Sequence, residues 1–118
     1  MEELTYDQFL FAARKIAQKS KEYDIESIYG IPRGGQVLAV YLSHLTDLPV
    51  VEEKDINEKT LIVDDIADTG ETLIKFRDYI IATIYYHKQS KVEPDIWIYK
   101  KNIEWILFPW ETYDTTKS

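Results

Sequence analysis

The chain has 118 residues, a net charge of −7, 45% hydrophobic and 30% charged residues, enough for one packed core and one domain. The acidic balance excludes a basic nucleic-acid surface, and the lack of cysteine excludes disulfides and thiolate metal sites. No apolar run approaches membrane-spanning length and Met1-Glu2-Glu3 opens no apolar leader, so a cytoplasmic protein without nucleic-acid or membrane partners is expected.

Thr5-Tyr6-Asp7-Gln8 fits a capping box, with Thr5 as N-cap and Gln8 reaching back. Phe9, Ala12, Ala13, Ile16 and Ala17 recur at helical spacing, with Arg14, Lys15, Gln18 and Lys19 on the outer face. The pattern predicts a packing helix over about 5–22, with no chemical role. Ser27–Ile31 then reads as a short buried strand, followed by Pro32-Arg33-Gly34-Gly35 and a second amphipathic helix through Val37, Leu38, Tyr41, Leu42 and Leu45. Strand, turn and helix form the first unit of an α/β sheet, whose ligands gather at the carboxyl ends of strands. Gly34 and Gly35 let backbone amides approach an anion, and Arg33 offers a bidentate fork to phosphate. Pro-x-Gly-Gly is also common turn chemistry, so this signal is weak alone. Asp47-Leu48-Pro49 closes the helix, Val50-Val51 starts a brief strand, and 52–59 is a polar loop whose basic residues are Lys54 and Lys59.

The most informative stretch is 61–72. Thr60, Leu61, Ile62 and Val63 run into Asp64 and Asp65; Asp68 follows, then Thr69-Gly70-Glu71-Thr72. Leu73, Phe76 and Ile80 take helical spacing, so a buried strand, an acidic tip and a loop opening onto a helix N-terminus are expected. Backbone amides at such a terminus hold phosphate, while carboxylates grip ribose hydroxyls or a hard cation such as Mg²⁺. The plain alternative is a strand end whose Asp and Thr merely cap the next helix. Three carboxylates in this order behind an apolar strand go beyond capping.

Ile80–Tyr86 reads as another strand, then His87-Lys88-Gln89-Ser90, a Pro94-Asp95 turn, and a strand over Ile96–Tyr99 with Trp97 and Tyr99 alternating. His87 reads as an ordinary strand-end residue and Lys88 as exposed. Glu104-Trp105-Ile106-Leu107-Phe108-Pro109-Trp110-Glu111 is aromatic, with Phe108 and Trp110 assigned to core or edge packing, and 112–118 is a polar tail.

The run Asp64, Asp65, Ile66, Ala67, Asp68, Thr69, Gly70, Glu71, Thr72 resembles the phosphoribosyl pyrophosphate (PRPP) signature of the type I phosphoribosyltransferases. The match is close at Asp64, Asp65, Asp68, Thr69, Gly70 and Thr72; Ala67 is smaller than the branched residue usual there. The resemblance extends over about Ser27 to Glu111, and implies one α/β domain over 1–118, a mainly parallel sheet with helices on both faces. It implies transfer of the 5-phosphoribosyl group from PRPP to N9 of a 6-oxopurine (guanine, xanthine or hypoxanthine) in purine salvage, releasing pyrophosphate. Mg²⁺ is the implied cofactor, with Asp65 as its ligand. Asp64 and Asp65 would hold the ribose hydroxyls, directly or through the metal, the loop 68–72 the 5′-phosphate, and Arg33 with Gly34 the pyrophosphate. A cis peptide is expected between Pro32 and Arg33. Asp68 would lie near the base as its general base.

Purine enzymes of the family place a lysine at the end of the strand over 80–86 to read the purine 6-oxo group. An ungapped reading puts His87 there and a shift of one puts Lys88; Lys88 is favoured because an ammonium is always a donor. The ending Trp-Ile-x-x-Pro-Trp-acid is similar to that of the xanthine-guanine enzymes and their small archaeal-type relatives. By that resemblance Trp105 stacks on the purine and the backbone at Ile106 meets the base edge. The chain departs from the family at 53–59, too short for the mobile hood many members carry. A homodimer is therefore expected, a neighbour covering the site, with Lys54 or Lys59 lent across the interface or, equally, simply solvated. The rival reading is a non-catalytic PRPP or nucleotide-binding regulator on the same fold; a pyrimidine enzyme is disfavoured by Trp105-Ile106.

Overall fold

The computed structural model describes residues 2–101, 106–107 and 109–110. Strand β1 (Glu2–Glu3) precedes helix α1 (Tyr6–Ser20), strand β2 (Ser27–Gly30) and helix α2 (Gly34–Thr46). Strands β3 (Thr60–Ala67), β4 (Ile80–His87), β5 (Ile96–Lys101) and β6 (Ile106–Leu107) complete the order. The main sheet runs β2-β3-β4-β5, every neighbour parallel, with Gly30 opposite Val63 and Val63 opposite Ala82. Helix α1 starts with the predicted box: Gln8 N–H donates to Thr5 Oγ1 at 3.1 Å and Thr5 N–H to Gln8 Oε1 at 2.9 Å.

Both helices cover one face of the sheet. Phe9, Ala12, Ala13 and Ile16 of α1 and Leu38 and Leu42 of α2 pack with Ile28, Leu61, Val63, Ala82 and Ile84 in one buried cluster. The alternate residues Tyr29, Ile62 and Ile81 face the other way, against Leu73, Phe76, Val51 and Ile56. That second face carries one-turn 3₁₀ segments, Glu53–Asp55 and Ile74–Phe76, in place of the helix expected there.

The reason is length. Chain positions 68–79 must reverse at the top of β3 and return to its foot, where Ile80 pairs with Leu61. After the loop at 68–73, six positions remain; as α-helix, at 1.5 Å each, they span only about 9 Å, against about 20 Å for the strand from Leu61 to Ala67. A more extended path with one tighter turn covers the distance. The flanking parallel sheet stands as expected; the second helical layer does not.

One pairing had no signal in the sequence. Glu2–Glu3 runs parallel to Ile106–Leu107 as a separate two-stranded ladder, and Leu4 behind it is fully buried. The ring of Trp110 packs edge-on against Phe9 at 5.3 Å, the packing role expected of it.

Candidate active site

Parallel order places the carboxyl ends of β2, β3 and β4 along one edge, and the polar residues singled out in the sequence meet there. Asp64 and Asp65 are not at a strand tip: β3 runs on through Ile66 and Ala67, and the loop begins only at Asp68. Backbone pairing of Asp64 with Thr83, and of Ile66 and Ala67 with Tyr85 and Tyr86, extends the strand this far. Both carboxylates are half-buried, and the Asp65 amide donates to Asp64 Oδ1 at 2.9 Å. Burial first, and the adjacent Asp65 carboxylate second, hold the Asp64 carboxyl well above its ordinary range.

Turn 32–35 closes on this pair. The Pro32–Arg33 peptide is cis, as expected, and Arg33 is exposed at the start of α2. A Cβ on Gly34 would collide with the Asp65 carboxylate, and one on Gly35 with the carbonyl oxygen of Val63. Glycine thus lets the turn lie directly on β3, and brings the Gly34 backbone and the Asp65 carboxylate together.

Asp68, Thr69, Glu71 and Thr72 are exposed, and with Asp64, Ile66 and Ala67 they line a cleft of about 90 Å³. That is room for one phosphate-sized group, well below the 300 Å³ or so of a whole ligand pocket. The loop is a turn, not a helix N-terminus: Glu71 N–H donates to Thr69 Oγ1 at 3.3 Å and Ile74 N–H to Gly70 O at 3.1 Å. Among the described residues the amides of Thr69, Gly70 and Thr72 have no acceptor. An anion here meets a nest of backbone N–H groups without a helix dipole behind it.

The turn after β4 braces this loop, a role the sequence did not signal. Gln89 Nε2 donates to Asp68 Oδ1 at 3.0 Å, Lys91 N–H to Thr69 O at 2.9 Å, and the Lys91 ammonium pairs with Glu71. Gly70 sits at φ 83° beneath the turn, where a Cβ would stand 2.6 Å from Lys91 N and from Ser90 Oγ.

Of the two strand-end candidates, His87 is the last residue of β4 and is 7% exposed, whereas Lys88 is exposed beyond it. Trp105 lies outside the described residues, as does Phe108; of Ile106 only the backbone is described, paired with Glu2. Loop 53–59 is held to its own chain: Glu53 accepts from Tyr29 Oη at 3.3 Å and pairs with Lys75 at 3.2 Å. Burial, then Glu53, raises the Tyr29 phenol. Lys59 pairs with Asp24 and Glu26 at 3.3 and 3.6 Å, and Lys54 with Glu52 at 3.6 Å.

No group of three or more potential metal ligands occurs among the described residues. Asp64 and Asp65 nevertheless suit Mg²⁺, which takes one or two carboxylates and fills its octahedron with water and substrate phosphate.

A parallel sheet with a carboxylate pair on an inner strand and an anion cradle at its carboxyl edge defines a ligand-binding α/β domain. No protein-family model matches the chain. It is 30% identical to the purine phosphoribosyltransferase of Pyrococcus horikoshii, superposing with a TM-score of 0.83 over 95% of this chain and 94% of that one. It is 29% identical to the xanthine-guanine phosphoribosyltransferase of Nitratidesulfovibrio vulgaris, over 74% of this chain and 69% of that protein. The xanthine-guanine-hypoxanthine phosphoribosyltransferase of Helicobacter pylori, at 23% identity, shares the fold with a TM-score of 0.80 over 98% and 96%. The chain belongs to the type I phosphoribosyltransferase family and is of the purine type. Among the described residues no helix is long and apolar enough to cross a membrane.

Proposed function

We propose that the chain transfers the 5-phosphoribosyl group of PRPP to N9 of a 6-oxopurine, guanine, xanthine or hypoxanthine, giving the nucleoside monophosphate and pyrophosphate. The observation that carries this reading is the meeting of three parts at one edge: the Asp64–Asp65 pair, the Gly34 turn against Asp65, and the braced loop 68–72. The named purine relatives support the same substrate class.

Each part then has a task. The amides of Asp68–Thr72, with the Thr69 and Thr72 hydroxyls, bind the 5′-phosphate in the small cleft. Asp64 and Asp65 hold the ribose hydroxyls, and Asp65, facing the turn, would hold Mg²⁺, which would supply positive charge to neutralise the pyrophosphate leaving group. Arg33 and the Gly34 amide take the pyrophosphate itself. As the bond from the anomeric carbon to pyrophosphate breaks, N9 of the base forms the new bond to that carbon. Asp68 accepts the imidazole proton the base gives up; general-base steps of this kind contribute typically 10²–10⁴-fold. Trp105 stacks on the purine and the Ile106 backbone meets its edge.

Loop 53–59 is short and tied down, so we assign water exclusion to a second copy of the chain in a homodimer. Lys54, exposed with only a surface pairing to Glu52, is the freer of the two lysines to reach across; Lys59 is engaged at home. The test is nucleotide formation from PRPP and each base with Mg²⁺. Binding of PRPP with no nucleotide from any base would make the chain a regulator instead.

A further inference from the structure

The backbone assigned above to the edge of the base lies on a segment that the main sheet does not hold. Strand β5 ends at Lys101, and β6 pairs, among the described residues, with β1 alone. Glu2 stands opposite Ile106 and Glu3 opposite Leu107, in parallel. The first residues of the chain therefore set the place of Ile106, near its other end.

A ladder two residues long does not hold itself, since even longer two-stranded pairings are marginal in water. Leu4 holds this one. It follows β1 directly, is 1% exposed, and belongs to the buried cluster that joins α1, α2 and the sheet. Thr5, next in line, is still extended at φ −72° and ψ 162° and caps α1 with its side chain. The chain thus passes from β1 through the core into α1 along one fixed path. Beyond β6, Trp110 packs edge-on against Phe9 at 5.3 Å. The C-terminal segment meets the N-terminal one at two points, β6 on β1 and Trp110 on Phe9.

The parts assigned to PRPP have a different support. Asp64 and Asp65 belong to β3, and the loop after it is braced by the turn after β4 through Gln89 and Lys91. We propose that Leu4 is a positioning residue for the base: anchored in the core, it fixes β1, and β1 fixes the Ile106 backbone where the purine edge meets it. This rests on the purine reading above. Leu4 itself touches no substrate. Loosening it lets β6 part from β1, a local opening of a segment with few partners. Only the fraction still paired is ready for the base, so the apparent affinity for the base falls by that fraction while PRPP binding is spared.

The experiment compares wild type with Leu4→Ala, Glu2→Pro, Glu3→Pro and Leu42→Ala, the last a truncation in the same core cluster but on α2. It measures KM for a 6-oxopurine and for PRPP, kcat, and hydrogen exchange of the ligand-free protein over 106–107 and 61–67. In Leu4→Ala the KM for the base should rise about tenfold, with kcat and the KM for PRPP within about twofold of wild type. Exchange at 106–107 should quicken while 61–67 stays protected. Alternate residues of a strand turn their N–H to a given neighbour, so one of the two prolines removes a rung and should reproduce the shift without touching the core. Leu42→Ala should lower Tm and leave the ratio of the two KM values unchanged. Joint rises in both KM values in Leu4→Ala, as a plain core residue would give, overturn the proposal. Unchanged exchange at 106–107 does so too, as does a normal KM for the base in both proline variants. Wild type that makes no nucleotide from any base sinks the purine reading and this proposal with it, whereas normal turnover with an unmoved KM ratio sinks this proposal alone.

Discussion

Gln89 and Asp68 are joined by a 3.0 Å hydrogen bond between side chains from different crossover connections, one after β4 and one after β3. Asp68 would otherwise be an exposed carboxylate on a turn, free to sample rotamers. For the proton acceptor we propose Asp68 to be, such fixing is the preorganisation required.

Asp68→Asn should therefore preserve both fold and PRPP affinity and lower kcat by about 10²–10⁴-fold, because an amide cannot take the proton. Gln89→Ala should lower kcat less. In the double variant the second change should add almost nothing, since Gln89 acts through Asp68. Steady-state kinetics on the four proteins check this; independent, additive losses would separate the two residues.

Gly70→Ala should destabilise the fold. At φ 83° an L side chain costs about 1–2 kcal/mol, and the added Cβ would also press on the Lys91 amide and Ser90 Oγ. Urea denaturation should show a lower midpoint at unchanged slope, with weaker PRPP binding because loop and brace part. An unaltered midpoint would mean that the turn is not packed on the loop.

Much of this site was legible in the residues. The capping box at Thr5, the buried strand before Asp64 and the Gly34 turn follow from local chemistry, the Pro32–Arg33 cis peptide from the family resemblance, and all stand as expected. The misses share one origin, which is geometry between segments. Leu73, Phe76 and Ile80 have helical spacing, but the distance back to the foot of β4 forbids a helix; Leu73 and Phe76 serve the sheet's second face instead, while Ile80, the first residue of β4, packs against the other. Asp64 and Asp65 read as a tip because carboxylates disfavour strands; pairing with β4 carries the strand through them. Gln89 looks like any polar turn residue until its contact with Asp68 is seen. Pairing of Glu2–Glu3 with Ile106–Leu107 joins two short segments from opposite ends of the chain, which no local pattern announces.

Asp64 makes stability depend on pH in a definite direction. Its folded-state pKa is raised, by burial and then by Asp65, so the folded protein holds a proton that the unfolded chain releases. Between the ordinary carboxylate range and the raised value the folded state binds more protons, and stability falls as pH rises. Thermal unfolding of the ligand-free protein across that range should show this decline. Asp64→Asn should flatten it and be the more stable protein on the alkaline side. Parallel curves for the two would remove the Asp64–Asp65 pair as the cause.

Trp105→Ala should raise the KM for the base and leave that for PRPP alone, because stacking on an aromatic ring is worth about 1–3 kcal/mol and involves no phosphate. An equal rise in both would make Trp105 a packing residue.

The central claim is that one edge of this sheet joins PRPP to a 6-oxopurine. Its most direct test is a single-turnover reaction with enzyme in excess over PRPP, Mg²⁺ present, and guanine, xanthine, hypoxanthine or adenine in turn, with nucleotide and pyrophosphate both quantified. The account predicts nucleotide and pyrophosphate in equal amounts with at least one 6-oxopurine, and little with adenine. Pyrophosphate without nucleotide, or no consumption of PRPP with any base, would contradict it.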